Sequence, residues 1–297
     1  MVKLSKLIQG RSLNSCMKPK KFLGQHFLKN KNIARKIIEA ANVNKDDTVL
    51  EIGPGKGALT EILLQKAKKV IAVEKDKELA DFLMDKFSAK GAAPDIAFGE
   101  VKGGRGPASG GKGQNNLSVI NDDILKFKIK NLNYKIVANI PYYITSHFLR
   151  KFLESDFQPI LMALMLQKEV AERIVARDGK ESILSISVKS YGQPRIIAKI
   201  SAKNFSPEPK VDSAIILIEN ISKDFFNPPA GGNKINEKRF FQIVKLGFGH
   251  KRKILKNNLK ISAKILQKCK IPALSRAEEL DLNDWKCLAK TRSVLVR

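Results

Sequence analysis

Residues 48–74 restrict the fold more than any other stretch. Thr48-Val-Leu-Glu-Ile-Gly53 is a short apolar run ending in glycine; a helical stretch follows from about Ala58 to Lys68, and then a second run, Val70-Ile-Ala-Val73. A short apolar run bounded by glycine reads as a strand buried on both faces. Two such strands joined by a helix of this length must pair in parallel through a right-handed crossover. The pattern continues on both sides. Asn30 to Asn42 has helical apolar spacing (Ile33, Ile37, Ala40, Ala41), and Lys77 to Phe87 reads as another helix. Further strands are expected at Leu117 to Asn121, Lys135 to Ile140 and Pro159 to Leu166. The implied fold class is α/β, a doubly wound sheet. Two last strands, Arg195 to Ser201 and Ala214 to Glu219, are joined only by Asn204-Phe-Ser-Pro-Glu-Pro-Lys-Val-Asp-Ser213. That leaves no room for a crossover helix, so they are expected to pair antiparallel.

Two stretches interrupt this order. Residues 91–116 hold eight glycines among scattered Lys and Arg. Such a segment buries too little apolar surface to offset its ordering entropy, and reads as a flexible surface insertion. Asn227-Pro-Pro-Ala-Gly-Gly-Asn233 reads as a linker. The expected organisation is a basic tail at 1–21, a sheet domain at 22–224 and a helical region at 236–297.

Charge narrows the function. Lys and Arg number 55 against 29 Asp and Glu, a net charge of +26. An excess of this size attracts polyanions, so nucleic acid is the expected partner. Residues 1–21 contain no acid and lack the apolar core of a signal peptide. They read as a tail that touches RNA, with an organelle transit peptide as the other reading. The longest apolar run, Ile160 to Leu166, is too short to span a bilayer. Cys16, Cys269 and Cys287, like His26, His147 and His250, show no ligand spacing. Neither a metal nor a disulfide is therefore expected, and a reducing, cytoplasmic setting fits.

Glu51-Ile-Gly-Pro-Gly-Lys-Gly57 turns from the first strand of the sheet into the next helix. Gly53 and Gly55 let the chain turn tightly and let a ligand approach without a Cβ in the way. The spacing is neither that of dinucleotide binders nor that of a phosphate-binding loop. Glu74 ends the next strand, where a carboxylate can accept from both ribose hydroxyls of an adenosine-containing cofactor. Asn121-Asp122-Asp123 follows the third, where Asp122 or Asp123 can accept from an adenine amino group. Asn139-Ile-Pro-Tyr142 ends the fourth. An adenine amine is a poor nucleophile because its lone pair is delocalised into the ring. Two acceptors aimed at its hydrogens, the Asn139 side-chain oxygen and the Pro141 carbonyl, would favour a pyramidal nitrogen with its lone pair free. Tyr142 can stack on the base once it has left its helix or loop.

With these motifs the chain resembles the small-subunit ribosomal RNA adenine dimethyltransferases, from about Lys20 to Lys290. The resemblance rests on Phe22-Leu-Gly-Gln-His-Phe-Leu28, Glu51 to Gly57, Asn139 to Tyr142, Leu166-Gln-Lys-Glu-Val-Ala171 and Phe205 to Ser213. It implies a Rossmann-like class I S-adenosylmethionine-dependent methyltransferase domain followed by a small all-helical domain. It implies that His26, Leu28, Gly53, Gly55, Glu74, Asp123 and Asn139 bind S-adenosylmethionine, and it favours Asp123 over Asp122. Asn139 and Tyr142 would handle the target adenine, with Phe205 closing the base pocket from the other side. His26 stands where many members have Asn. The implied reaction is dimethylation of two adjacent adenosines in a 3′-terminal hairpin loop by a monomeric enzyme. The rival readings are a large-subunit methyltransferase of the erythromycin-resistance type and a non-catalytic RNA-binding factor. Phe248-Gly-His-Lys-Arg-Lys253 speaks against the first, and intact Glu74, Asn139, Pro141 and Tyr142 against the second.

From Lys238 to Lys270 there are eleven Lys and Arg and no acid. Lys253, Lys256, Lys260 and Lys264 are expected on one face of a helix, with Leu255, Leu259 and Leu266 on another. Lys251, Arg252, Lys253, Lys256 and Lys260 are the expected RNA-binding residues.

Overall fold

The structure, a computed structural model, describes residues 18–87, 116–130, 132–229 and 231–291. The expected basic tail, but for its last four residues, and the glycine-rich insertion, but for Asn116, lie outside the described residues. The elements run β1 (Phe27–Leu28), α1 (Lys31–Ala40), β2 (Thr48–Ile52), α2 (Thr60–Lys66), β3 (Lys69–Glu74), α3 (Lys77–Phe87), β4 (Leu117–Asn121) and β5 (Lys135–Asn139). They continue with α4 (Thr145–Leu153), β6 (Leu161–Gln167), α5 (Lys168–Val175), α6 (Ile183–Lys189), β7 (Gln193–Ile200), β8 (Phe205–Ser206) and β9 (Ser213–Glu219). Among the described residues four α-helices follow: α7 (Glu237–Gly247), α8 (Leu255–Leu259), α9 (Ala263–Lys268) and α10 (Leu282–Lys290).

Seven strands form one sheet in the order β4-β3-β2-β5-β6-β9-β7. The first five are parallel; β9 runs antiparallel to β7, as the short connection between them required, and also to β6. Alternation along the central strands divides the core into two layers. Leu50, Ile52, Ile71, Val73, Ile136 and Ala138 face one, while Val49, Val70, Val137, Ala163 and Met165 face the other. The register aligns the strand ends: Ile52 lies opposite Val73 and Ala138, and Glu74 opposite Asn121. The loops that carry the motifs therefore leave the sheet along one carboxyl edge, where ligands bind in open α/β sheets.

The first core layer does not stop at the linker. Phe240, Ile243 and Val244 of α7, Leu255 of α8, Leu266 of α9 and Trp285 of α10 belong to the same apolar cluster as Leu50 and Ile136. Tyr191, Phe225, Phe226, Phe240 and Phe241 pack ring on ring across the junction.

The structure corrects two expectations here. Lys253 to Lys264 do not lie on one helix: α8 ends at Leu259, capped by Lys260 with a left-handed φ of 51°, and α9 starts only after Ser262. Asn258 donates to the Gly247 and His250 carbonyls and so ties α8 back to the turn after α7. The side-chain partition survives the break, with Leu255, Leu259 and Leu266 buried and Lys253, Lys260 and Lys264 exposed. Second, Cys269 and Cys287 are joined as a disulfide, with Cα atoms 5.7 Å apart. Packing at the end of α9 against α10 brings them together, a tertiary approach to which their spacing of 18 residues gives no clue.

Candidate active site

The turn after β2 is built on glycine. Gly53 donates to the Val73 carbonyl at 3.0 Å, and Gly53 and Gly55 have φ of +59° and +58°. A Cβ on Gly55 would come within 3.0 Å of the Phe27 ring. The turn occupies residues 55–59, so α2 opens at Thr60 rather than at Ala58.

Glu74 is only 6% exposed, and burial pushes its carboxyl up from the ordinary range. Oε2 accepts the Gly55 N–H at 3.1 Å and Oε1 accepts the Asp76 N–H at 2.9 Å. Each oxygen keeps a lone pair for a further donor. Asp123 accepts the Leu125 N–H at 2.9 Å and pairs with Lys75 at 2.9 Å. Burial acts to raise its carboxyl, but the Lys75 ammonium and the Leu125 N–H outweigh it and hold it below the usual range. Asp122 accepts the Asp123 N–H.

Residues 20–28 fold back over this edge. Leu28 of β1 lies opposite Phe205 of β8. The Lys20 ammonium and the Gln25 amide both donate to the Asp76 carboxylate, at 2.8 and 2.9 Å. Asp76 also caps α3 through the Glu78 N–H. The sequence motifs did not single out Gln25 or Asp76. Asp76 has one local signal, an acid two residues past a strand end at a helix start, while its partners lie 51 and 56 residues away.

Asn139 donates its Nδ2 to the His26 carbonyl at 3.1 Å. A carbonyl only accepts, so the amide orientation is set and Oδ1 is left as an acceptor. The Pro141 carbonyl accepts the Ile144 N–H at 3.1 Å, which leaves it one lone pair instead of two. The half-buried Tyr142 holds its hydroxyl 2.8 Å from Ser213 Oγ, and its ring stacks on His26 at 5.9 Å between centroids. His26 Nδ1 lies 2.8 Å from the Pro207 carbonyl and therefore carries the proton.

His26, Leu28, Gly53, Gly55, Glu74, Asp123, Asn139, Pro141 and Tyr142 thus line one cavity, together with Asp122. Phe205 does not line it. At 1% exposure it is packed in the second core layer with Ile215 and Met165, behind Leu28. It supports the wall of the site instead of facing it. Lys251, Arg252, Lys253 and Lys260 are exposed, Lys256 is half-buried, and none of the five lines the cavity.

The family model described as ribosomal RNA adenine dimethylase matches residues 16–96 and 108–291. Ribosomal RNA small subunit methyltransferase A of Dehalococcoides mccartyi is 37% identical over 97% of this chain and 92% of its own. The protein of the same name from Fusobacterium nucleatum is 38% identical over 92% of this chain and 97% of its own. The chain belongs to the ribosomal RNA adenine dimethylase family. Among solved structures, a dimethyladenosine transferase from Plasmodium falciparum superposes with a TM-score of 0.72 at 28% identity, covering 89% of this chain and 96% of that one. The 23S rRNA methyltransferase ErmE, at 24% identity and a TM-score of 0.66 over 89% of this chain and 98% of its own, shares the fold. The chain is thus a Rossmann-like class I methyltransferase with a C-terminal helical part. Methyltransferases of this kind use S-adenosylmethionine, and the residues present fit it. The Glu74 oxygens keep free lone pairs, and the bare Gly53 faces Asn139 and Pro141 across a gap that a Cβ would narrow to 4.0 Å. No helix among the described residues is long and apolar enough to cross a membrane.

Proposed function

We propose that this chain dimethylates the exocyclic amines of two adjacent adenosines in the 3′-terminal hairpin loop of small-subunit ribosomal RNA, as a step of ribosome biogenesis. The observation that carries the reading is the orientation of Asn139. Its Nδ2 is committed to the His26 carbonyl, and its Oδ1 is left to accept from the target amine. S-adenosylmethionine, when bound, supplies a methyl group on a positively charged sulfur. Glu74 would hold its ribose, Asp123 its adenine, and the turn at Gly53 and Gly55 would admit its backbone-facing edge. His26 and Leu28 would close the roof. Tyr142, fixed by Ser213, offers a flat wall for the target base. Alignment of amine and methyl carbon supplies most of the rate. No strong base is required, because an N-alkylated adenine ammonium readily gives its proton to water.

Exposed Lys251, Arg252, Lys253 and Lys260, with half-buried Lys256, would neutralise phosphates outside the loop. The enzyme acts as a cytoplasmic monomer, a reading that rests on its substrate and its family, not on its cysteines.

The test is methyl transfer from labelled S-adenosylmethionine to unmodified small ribosomal subunits and, in parallel, to large-subunit RNA, with nucleoside mass analysis. Dimethyladenosine only at the 3′ end of small-subunit RNA is expected. Product only in large-subunit RNA, or none in either with RNA still bound, overturns the reading. Asn139→Ala should abolish transfer while RNA affinity stays within threefold, because the substitution removes a hydrogen bond to the flipped base and leaves the phosphate-binding cations in place. Joint loss of binding and transfer refutes its role.

A further inference from the structure

Tyr142 and Tyr143 are neighbours with opposite placements. Tyr142 is half-buried with its hydroxyl anchored on Ser213, whereas Tyr143 is 55% exposed at the mouth of the cavity. The short 3-10 turn Lys21–Leu23 adjoins the cavity through Leu23, and Phe22 on it is 80% exposed. Gly24 joins the two: its φ is +60°, and a Cβ there would lie 3.3 Å from the Tyr143 ring. The bare backbone of Gly24 therefore backs one side of that ring and leaves the rest to solvent. Phe22 is two residues along the chain from Gly24 and next to Leu23, and both of those line the cavity, so its exposed ring stands beside the entrance that Tyr143 lines. A single exposed aromatic is ordinary on a protein surface. Two beside the entrance of a cavity whose wall is a third aromatic offer flat faces to bases approaching it. The ammonium of Lys75, half-exposed, lies within electrostatic range of the Tyr143 hydroxyl.

We propose that Phe22 and Tyr143 form an aromatic rim that stacks the unpaired base next to the adenine in the pocket. The inference rests on the reading of the cavity as an adenine acceptor site. Unpaired RNA is held through splayed bases stacked on aromatic side chains, and any base serves because each has a π-face. A nucleotide extruded into a pocket leaves its neighbour unstacked on that side. The rim is continuous with the pocket and offers a replacement stacking partner at the place where the strand enters. In a loop with two adjacent acceptors, it holds one adenine while the other is in the pocket.

The test uses the full-length protein and a hairpin RNA carrying 2-aminopurine beside the target adenosine. Binding of wild type should quench the fluorophore. The Phe22→Ala/Tyr143→Ala variant should lose the quenching and raise KM for RNA by roughly tenfold or more, as expected when a base–aromatic stack is removed. S-adenosylmethionine affinity should not change, and Phe22→Trp with Tyr143→Phe should restore both readouts. If the double variant does not fold, Phe22→Ser alone serves, since that ring is mostly in solvent. Unchanged quenching and unchanged KM overturn the rim. A wild type that quenches the fluorophore but forms no methyladenosine on unmodified small ribosomal subunits instead overturns the acceptor-site reading and leaves base stacking supported.

Discussion

Replacing Glu74 with Gln changes almost no volume, yet the site gives the new amide no acceptable orientation. Both oxygens of Glu74 accept backbone N–H groups, from Asp76 and from Gly55. Whichever way Gln turns, its NH2 meets one of those donors. One hydrogen bond disappears and a buried donor is stranded, which costs about 1–3 kcal/mol. Part of that is offset, because burial already pushes this carboxyl up and a neutral amide escapes the desolvation. A net loss of about 1 kcal/mol lowers Tm by roughly 2–4 °C in a chain of this size. Ligand binding should suffer more. A hydrogen bond to a charged acceptor is worth about 1.5–3 kcal/mol, so affinity for S-adenosylmethionine should fall roughly 10- to 150-fold. Titration calorimetry gives the affinity and a thermal melt gives the stability. A Kd within threefold of wild type, with Tm lowered, would refute the ribose-binding role and leave Glu74 as a residue that only holds the turn.

Two more outcomes are expected. Glu51, fully buried with Oε2 accepting from Thr60, has its carboxyl pushed up by burial to about 8 from 4.5. The folded protein then keeps a proton that the unfolded chain has released, so this group costs stability as pH rises from about 4.5 to about 8. Glu51→Gln removes that slope, and its Tm relative to wild type should climb across this window; a constant difference sinks the assignment. Replacing Lys251, Arg252 and Lys253 together with Ala should reduce the slope of log affinity against log salt by about 2, at ~0.7 per phosphate for single strands. An unaltered slope would mean that these residues do not face RNA.

The central strands β2, β3, β5 and β6 were legible because their successive residues are buried on both faces and end in glycine or polar residues. Their carboxyl ends carry the residues that line the cavity, so reading the strands correctly also brought Gly53, Glu74, Asp123 and Asn139 to one edge. What escaped depends on approaches between distant segments. The Asp76 anchor needs a segment 51 to 56 residues away to fold back over it. The Cys269–Cys287 bond needs α9 and α10 to pack. Helices α4 and α5 did not stand out, since their short amphipathic runs start without a side-chain cap, and α6 is only seven residues long, its Ser182 cap being closed by Ser185 instead of Glu or Gln. The break at Lys260 was hidden by apolar spacing that suits one continuous helix. Phe205 sits in the expected loop, but its facing is set by pairing with Leu28, which no motif encodes.

The shared apolar core of the sheet and helices α7 to α10 has a consequence for how RNA must be shaped. Helices joined to a sheet only by a linker would swing, and the basic surface could adapt to loops at many distances. Here Phe240, Leu255 and Trp285 are buried in the same layer as Ile136 and Ile52. The cations around Lys251 to Lys253 and the oxygen of Asn139 therefore keep a constant separation, as the two jaws of a locked caliper do. On the proposed reading, an RNA would be gauged by whether its backbone and its looped-out adenine span that gap, whatever bases lie between.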